Sequence, residues 1–273
     1  MSYIDVSGLF FGYTNDSLLF RNISLSFRLG EQVAIIGRNG SGKTSLVKLL
    51  NGMLKPQKGN ISINKESTRD KSIADIATTI GFVFQNPNQM LFMNSVEKEL
   101  ELSLLRLSLG KEEQNKRINK MLSFFDLEKY RETHPRSLSR GEKQKLALAT
   151  VLIQEPQAII LDEPFSGIDF NQRNNLIDYL RILCDEGKLI ILITHDIDSI
   201  MENCSRVIAL DEGNIIYDLP VDEFLLDETN LRKIGLLPTN YLKMIYQLRS
   251  KGLPKEILWK KDFIEFFKQT LEL

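Results

Sequence analysis

Within the eight residues Gly37-Arg38-Asn39-Gly40-Ser41-Gly42-Lys43-Thr44, glycines alternate with polar residues and the run closes on lysine and threonine. That spacing suits a polyphosphate. Glycines let successive backbone N–H groups converge on an anion, a helix starting at the end of the run adds positive potential, and the Lys43 ammonium brings a full charge to the β/γ oxygens. The Thr44 hydroxyl is a hard oxygen donor suited to Mg²⁺. The cradle is therefore read as Asn39, Gly40, Ser41, Gly42, Lys43, Thr44 and Ser45. A glycine turn before an ordinary helix is the plainer reading. The apolar strand pattern before the run and the helical pattern after it favour phosphate.

A second group with chemical potential closes the apolar run Ala158-Ile159-Ile160-Leu161 with Asp162-Glu163. An α/β sheet presents ligand-binding residues at the carboxyl ends of its strands. Asp162 is expected in a magnesium shell, and Glu163 on the other side of the strand axis as the group that orients or deprotonates a water. Two solvated acids capping a strand are the alternative. His195 closes a third apolar run, Leu189 to Thr194, and its meaning depends on what lies beside it. No Asn-Lys-x-Asp run of the kind that reads guanine occurs, so adenine is the expected base. Tyr13 either stacks on it or packs internally.

These groups need a frame. Gln32-Val33-Ala34-Ile35-Ile36 reads as a strand buried on both faces, and Leu46, Val47, Leu49 and Leu50 as the apolar stripe of a helix that starts after Gly42 and stops at Gly52. From Ser95 to Ser137, residues Val96, Leu100, Leu104, Ile118, Met121, Leu122 and Phe125 recur at helical spacing amid charges, as in an inserted helical subdomain. A helix over Arg140–Leu152, a strand over 158–161, a helix over 171–184 and a strand over 189–194 follow. Strands alternating with helices imply an α/β fold with a mostly parallel sheet. The tail from Asn230 reads as short helices, with basic residues in excess.

The 273 residues carry 42% hydrophobic and 26% charged side chains, enough for a large core, and a net charge of −1, which leaves no global excess to steer the chain to nucleic acid or anionic membranes. No nucleic-acid partner is expected. No apolar run approaches the roughly 20 residues of a membrane span, and the first residues show no secretory signal. Two cysteines, Cys184 and Cys204, exclude a disulfide framework and read as reduced core thiols.

Taken together these residues resemble the nucleotide-binding subunits of ABC transporters, over about Tyr3 to Asp222. Leu138-Ser139-Arg140-Gly141-Glu142 looks like the Leu-Ser-Gly-Gly-Gln signature opening a helix. Tyr13, the phosphate loop, Gln85, the signature, Asp162-Glu163, Ser166-Gly167-Ile168-Asp169 and His195 follow in the family's order. The resemblance implies a P-loop NTPase of ABC ATPase type with an N-terminal antiparallel β subdomain, an inserted helical subdomain at about 90–150 and an ATPase domain over 1–225. It implies that Tyr13 stacks on the adenine of ATP, that Thr44, Gln85 and Asp162 hold Mg²⁺, and that Glu163 polarises water. His195 would contact the γ-phosphate. It further implies a dimer sandwiching two ATP molecules, in which Ser139, Gly141 and Glu142 serve the partner chain's ATP. Arg140 and Glu142 depart from the signature, and Glu142 sets a carboxylate near phosphate that Arg140 or Lys143 would need to offset.

Gly81-Phe82-Val83-Phe84-Gln85-Asn86-Pro87-Asn88-Gln89-Met90-Leu91-Phe92 is similar to the Q-loop of energy-coupling factor (ECF) importer ATPases. The segment over 226–273 resembles their small C-terminal helical domain, which implies a dimer contact. The implied partners are a second ABC ATPase chain, identical or paralogous, a membrane coupling subunit and a substrate-binding membrane subunit. The implied location is the cytoplasmic face of the cell membrane. A non-transport ABC ATPase or an ATPase of another ABC transporter class are the competing readings. The first of these usually carries a coiled coil, a zinc insertion or two cassettes.

Overall fold

The computed structural model describes residues 2–14 and 17–270. The outermost residues of the two expected units, 1 and 271–273, lie outside them. Among the described residues ten strands form two sheets: β1 (Ser2–Phe11), β2 (Phe20–Arg28), β3 (Gln32–Gly37), β4 (Lys58–Ile63), β5 (Glu66–Ser67), β6 (Ile80–Val83), β7 (Ala158–Asp162), β8 (Leu189–Ile193), β9 (Arg206–Asp211) and β10 (Asn214–Pro220). The first sheet, ordered β2-β1-β4-β5, is antiparallel. The second is ordered β10-β9-β3-β8-β7-β6 and is parallel except for the edge hairpin of β9 with β10.

The continuous apolar runs in the parallel strands are explained by the two cores they separate. Side chains alternate across a strand with period two. Ala34 and Ile36 of β3, Ile159 and Leu161 of β7, and Ile190 and Leu192 of β8 enter a core shared with the helices. Val33 and Ile35, Ala158 and Ile160, and Ile191 and Ile193 enter the core shared with the antiparallel sheet. A strand covered on both faces must be apolar throughout.

Eleven helices are described: α1 (Lys43–Leu50), α2 (Ile73–Ala77), α3 (Val96–Leu104), α4 (Lys111–Phe124), α5 (Arg140–Leu152), α6 (Phe170–Asp185), α7 (Ile197–Asn203), α8 (Val221–Leu225), α9 (Glu228–Lys233), α10 (Asn240–Arg249) and α11 (Lys260–Thr270). Helices α3 to α5 pack Val96, Leu100, Ile118, Leu122 and Leu146 into the helix-side core. Toward the C-terminus, Leu231, Ile234, Leu242 and Leu258 join that same core, and Ile245, Leu253 and Ile257 form a small cluster of their own. Among the described residues no helix is long and apolar enough to cross a membrane. Cys204 is buried as expected, but Cys184 is only half-buried at the end of α6, its thiol donating to the Gly30 carbonyl at 3.2 Å.

Candidate functional site

The carboxyl ends of β3, β6, β7 and β8 fall side by side, because Ile35 pairs with Ile193, Val83 with Leu161 and Asp162 with Ile193. The residues that follow each strand therefore meet at one sheet edge. After β3 comes the glycine loop, after β6 Gln85, at the end of β7 Asp162-Glu163, and after β8 Thr194-His195.

A cavity of about 790 Å³ opens there, lined by Tyr13, Asn39, Gly40, Gly42, Lys43, Thr44, Ser45, Gln85, Asp162 and Glu163. The structure also brings in Thr14, Ser17, Leu18, Leu19, Ile193 and Glu212, which sequence reasoning did not single out. Leu18 and Leu19 give an apolar wall near Tyr13, but no periodic pattern in a loop marks such residues. Ser41 lies buried, and its hydroxyl has no hydrogen-bond partner among the described residues. A cavity of about 620 Å³ adjoins, sharing Thr44, Gln85 and Asp162 and carrying Lys48, Arg140 and Lys143 on its wall.

Gly42 shows why the loop takes this path. It sits at φ 107°, and a Cβ there would meet the Phe20 ring at 2.8 Å, so only glycine fits. Helix α1 begins directly after it with no side-chain cap and no acidic residue in its first turn. Its first amides are left for an external acceptor, and the helix dipole favours that acceptor being an anion. Lys43 Nζ donates to the Gly37 and Arg38 carbonyls at 2.8 and 2.9 Å, which folds the ammonium back over the loop.

Strand β7 ends at Asp162, and Glu163 takes φ 50°, the left-handed region that non-glycine residues enter at a cost. Both carboxylates line the same cavity. Glu163 Oε1 lies 2.7 Å from His195 Nδ1, and Thr194 Oγ1 lies 3.4 Å from Glu163 Oε2. His195 does not line the cavity itself; it stands at the rim, its side chain 76% exposed.

The electrostatics follow from this crowding. Burial first, and the Glu163 charge second, push the Asp162 carboxyl up to about 6 against the pull of Lys43 and a hydrogen bond from the Thr44 hydroxyl. Burial lowers the Lys43 ammonium, while Glu163 and Asp162 hold it up. Thr44, Gln85 and Asp162 are hard oxygen donors on one wall beside an under-compensated carboxylate pair. That donor set, one carboxylate with a hydroxyl and an amide oxygen, fits Mg²⁺, which is usually bound through one or two carboxylates and completes its shell with water and substrate phosphate.

Tyr13 lines the cavity with 67% of its surface exposed, held edge-on to Phe11 at 5.2 Å and through its hydroxyl to Ser45 Oγ at 2.8 Å. Its ring face is thus fixed yet open. The signature residues Ser139, Gly141 and Glu142 line neither cavity. Ser139 caps α5 in a reciprocal box with Glu142, whose Oε2 accepts the Ser139 N–H at 2.8 Å. Hydrogen bonds from Tyr130 and from the Ser139 amide hold the Glu142 carboxyl below the usual range. Arg140 reaches Ser166 Oγ at 3.3 Å, and Gly141 lies so close to Gly167 that a Cβ would meet its carbonyl oxygen at 2.4 Å.

Comparison with known proteins places this geometry among relatives. Residues 20–166 match the family model described as ABC transporter. The chain is 38% identical to an ABC transporter ATP-binding protein of Pyrococcus abyssi, covering 90% of this chain and 94% of that one. It is 35% identical to the energy-coupling factor transporter ATP-binding protein EcfA2 of Clostridium perfringens, over 87% and 85% of the two chains. A Methanosarcina mazei ABC transporter ATP-binding protein is 36% identical over 92% of this chain, and the chain spans 43% of that relative's length. Among solved structures, CbiO1 of Clostridium perfringens, part of the CbiONQ transporter complex, superimposes with a TM-score of 0.74 at 30% identity, over 90% of this chain and 100% of its own. A dimeric ATP-binding cassette, MJ0796, bound to ADP and Pi, does so with a TM-score of 0.72 at 26% identity, over 80% and 98%.

Proposed function

The chain belongs to the ABC transporter family and is the ATPase of such a transporter, and from that premise we propose that it powers a membrane importer of the ECF type. The observation that carries the chemistry is the convergence of Lys43, Thr44, Gln85, Asp162, Glu163 and His195 on one sheet edge. The likeness to EcfA2 and CbiO1 supports the narrower class.

In this reading Asn39 to Ser45 cradle the ATP phosphates with loop amides, and Lys43 turns from its two carbonyls to the β/γ oxygens. Tyr13 stacks on adenine, with Leu18 and Leu19 beside it. Thr44, Gln85 and Asp162 would hold Mg²⁺, which when bound would offset the negative charge that develops on the phosphate in hydrolysis. Glu163 accepts a proton from the attacking water, and its contact with His195 fixes the carboxylate's orientation while His195 faces the γ-phosphate. Ser139, Gly141 and Glu142 complete the ATP site of a partner chain. The Glu142 charge is partly taken up there by the Ser139 amide and Tyr130.

We place the ATPase domain over 1–225, with its helical subdomain at about 90–150, and a C-terminal helical domain over 226–273 that contacts a second ATPase chain. Helix α11 leaves Ile264 and Phe267 exposed for such a contact. A groove of about 430 Å³ between Met53, Ile73, Phe84, Met90, Phe92 and Leu102 is the docking surface for a membrane coupling subunit, with Phe92 74% exposed at its edge. The chain then works at the cytoplasmic face of the cell membrane.

Affinity purification of the tagged chain from gently solubilised membranes, followed by mass spectrometry, tests this reading. A helical membrane scaffold with small substrate-binding membrane proteins and an ATPase partner is expected. Paired permease subunits of a conventional transporter would retire the ECF class.

A further inference from the structure

His195 poses a physical problem. Its side chain is 76% exposed and its ring nitrogen pairs with Glu163, so its position rests largely on the backbone of residues 194–196 rather than on packing of the ring. A group that must hold within a fraction of an ångström needs an anchored loop. The anchor is visible one residue further on. Asp196 donates its N–H to the Thr194 hydroxyl at 3.1 Å, and its carboxylate caps α7, accepting the Asp198 N–H at 3.1 Å and the Ser199 hydroxyl.

That carboxylate is gripped from α6. The Arg173 side chain, 17% exposed, reaches Asp196 Oδ2 at 3.2 Å, Ser199 Oγ at 2.8 Å and Glu202 Oε2 at 3.3 Å. The same guanidinium lies over the Phe165 ring, 5.5 Å from its centre. Phe165 belongs to the loop that leaves Glu163 in its left-handed turn, and Asp169 at the end of that loop caps the helix carrying Arg173. One side chain thus spans the loop that bears Glu163 and the loop that bears His195.

We propose that Arg173 is a positioning residue for ATP hydrolysis, setting the Glu163–His195 contact by clamping Asp196 while stacking on Phe165. Only a planar, multi-donor cation can do both, since lysine offers a point charge without a stacking face. Arg173 lines neither cavity, so it acts through its neighbours and not on the nucleotide. The proposal rests on the roles given above to Glu163 and His195.

Steady-state hydrolysis by the full chain, with MgATP binding measured in parallel, tests it. Arg173→Met should lower kcat by about 10- to 100-fold and leave KM and ATP affinity within about twofold. Arg173→Lys, which keeps the ion pair to Asp196, should recover part of the loss, and it serves as the readout should the methionine variant fold poorly. In a Glu163→Gln background the same Arg173→Met change should alter the residual rate by less than about twofold, because it acts through Glu163. Normal kcat in Arg173→Met, or a loss of equal size in the Glu163→Gln background, overturns the positioning role. If Glu163→Gln itself hydrolyses ATP normally, the underlying reading fails instead.

Discussion

Glu163 Oε1 and His195 Nδ1 stand 2.7 Å apart although 32 residues separate them, and the contact exists because β7 and β8 are parallel neighbours whose ends come into register. Glu163 reaches it through a left-handed backbone turn. A strained residue at a strand end is kept where the surroundings over-determine it. Here the Glu163 N–H bond to the Ile193 carbonyl at 2.9 Å and the Thr194 hydroxyl contribute to that restraint.

Replacing Lys43 tests the cradle. Lys43→Ala removes a half-buried ammonium that would make charge-assisted hydrogen bonds to phosphate, each worth about 1.5–3 kcal/mol. ATP affinity, measured by isothermal titration, should fall by roughly 100-fold. An unchanged affinity would remove Lys43 from the phosphate site.

Tyr13 separates stacking from hydrogen bonding. Tyr13→Phe keeps the ring and loses only the bond to Ser45 Oγ, so affinity should stay within about threefold. Tyr13→Ala removes a stacking platform worth about 1–3 kcal/mol per base, a loss of roughly tenfold or more. Equal effects of the two changes would assign Tyr13 a purely local role.

Gly141 and Gly110 make a matched pair for thermal melting. A Cβ at Gly141 meets the Gly167 carbonyl oxygen at 2.4 Å, while one at Gly110 meets nothing within 4 Å. Gly141→Ala must push apart the signature turn and the loop after Glu163, at about 1–3 kcal/mol, which corresponds to a fall in Tm of roughly 2–10 °C. Gly110→Ala should change Tm by about 2 °C or less, because the N-cap preference for glycine over alanine and the entropy that alanine removes from the unfolded chain, each about 1 kcal/mol or less, oppose one another. Matching shifts would mean that the close approach is not real.

Glu99 supplies a pH test. It is 1% exposed on α3 and accepts the backbone N–H groups of Phe92 and Met93, which ties down the edge of the apolar groove. Burial raises its carboxyl, with those two amides opposing. The folded state therefore holds this proton to higher pH than the unfolded chain, so wild-type stability from this group is fullest below about 4.3 and is lost as pH rises through the raised folded value. Glu99→Gln keeps an acceptor without the charge. Its Tm relative to wild type should climb between mildly acidic and neutral pH and then level off. A difference that does not change with pH would show that Glu99 carries no such penalty.

Much of this frame is legible in the residues. The two-faced strands are continuous apolar runs, and the helix after Gly42 shows its stripe in Leu46, Val47, Leu49 and Leu50, all buried. Helix α5 begins at Arg140 because Ser139 and Glu142 form a capping box visible at the spacing of three. What cannot be read is set by long-range geometry. The positive φ of Glu163 falls on a residue type that gives no warning of it. The Arg173 clamp joins side chains 23 and 26 residues apart, and Glu99 sits among the charges of a helix whose pattern makes it look solvated. The apolar wall of Leu18 and Leu19 lies in a loop, where neither helical nor strand periodicity applies.

The central claim is that hydrolysis depends on Glu163 at this sheet edge, and single-turnover conversion of MgATP to ADP by the Glu163→Gln chain, with binding measured on the same preparation, tests it most directly. The expected result is ATP affinity within about twofold of wild type and a rate lowered by roughly 10²- to 10⁴-fold, the range for loss of a general base. ADP formation at the wild-type rate would contradict the account and move the catalytic role away from Glu163.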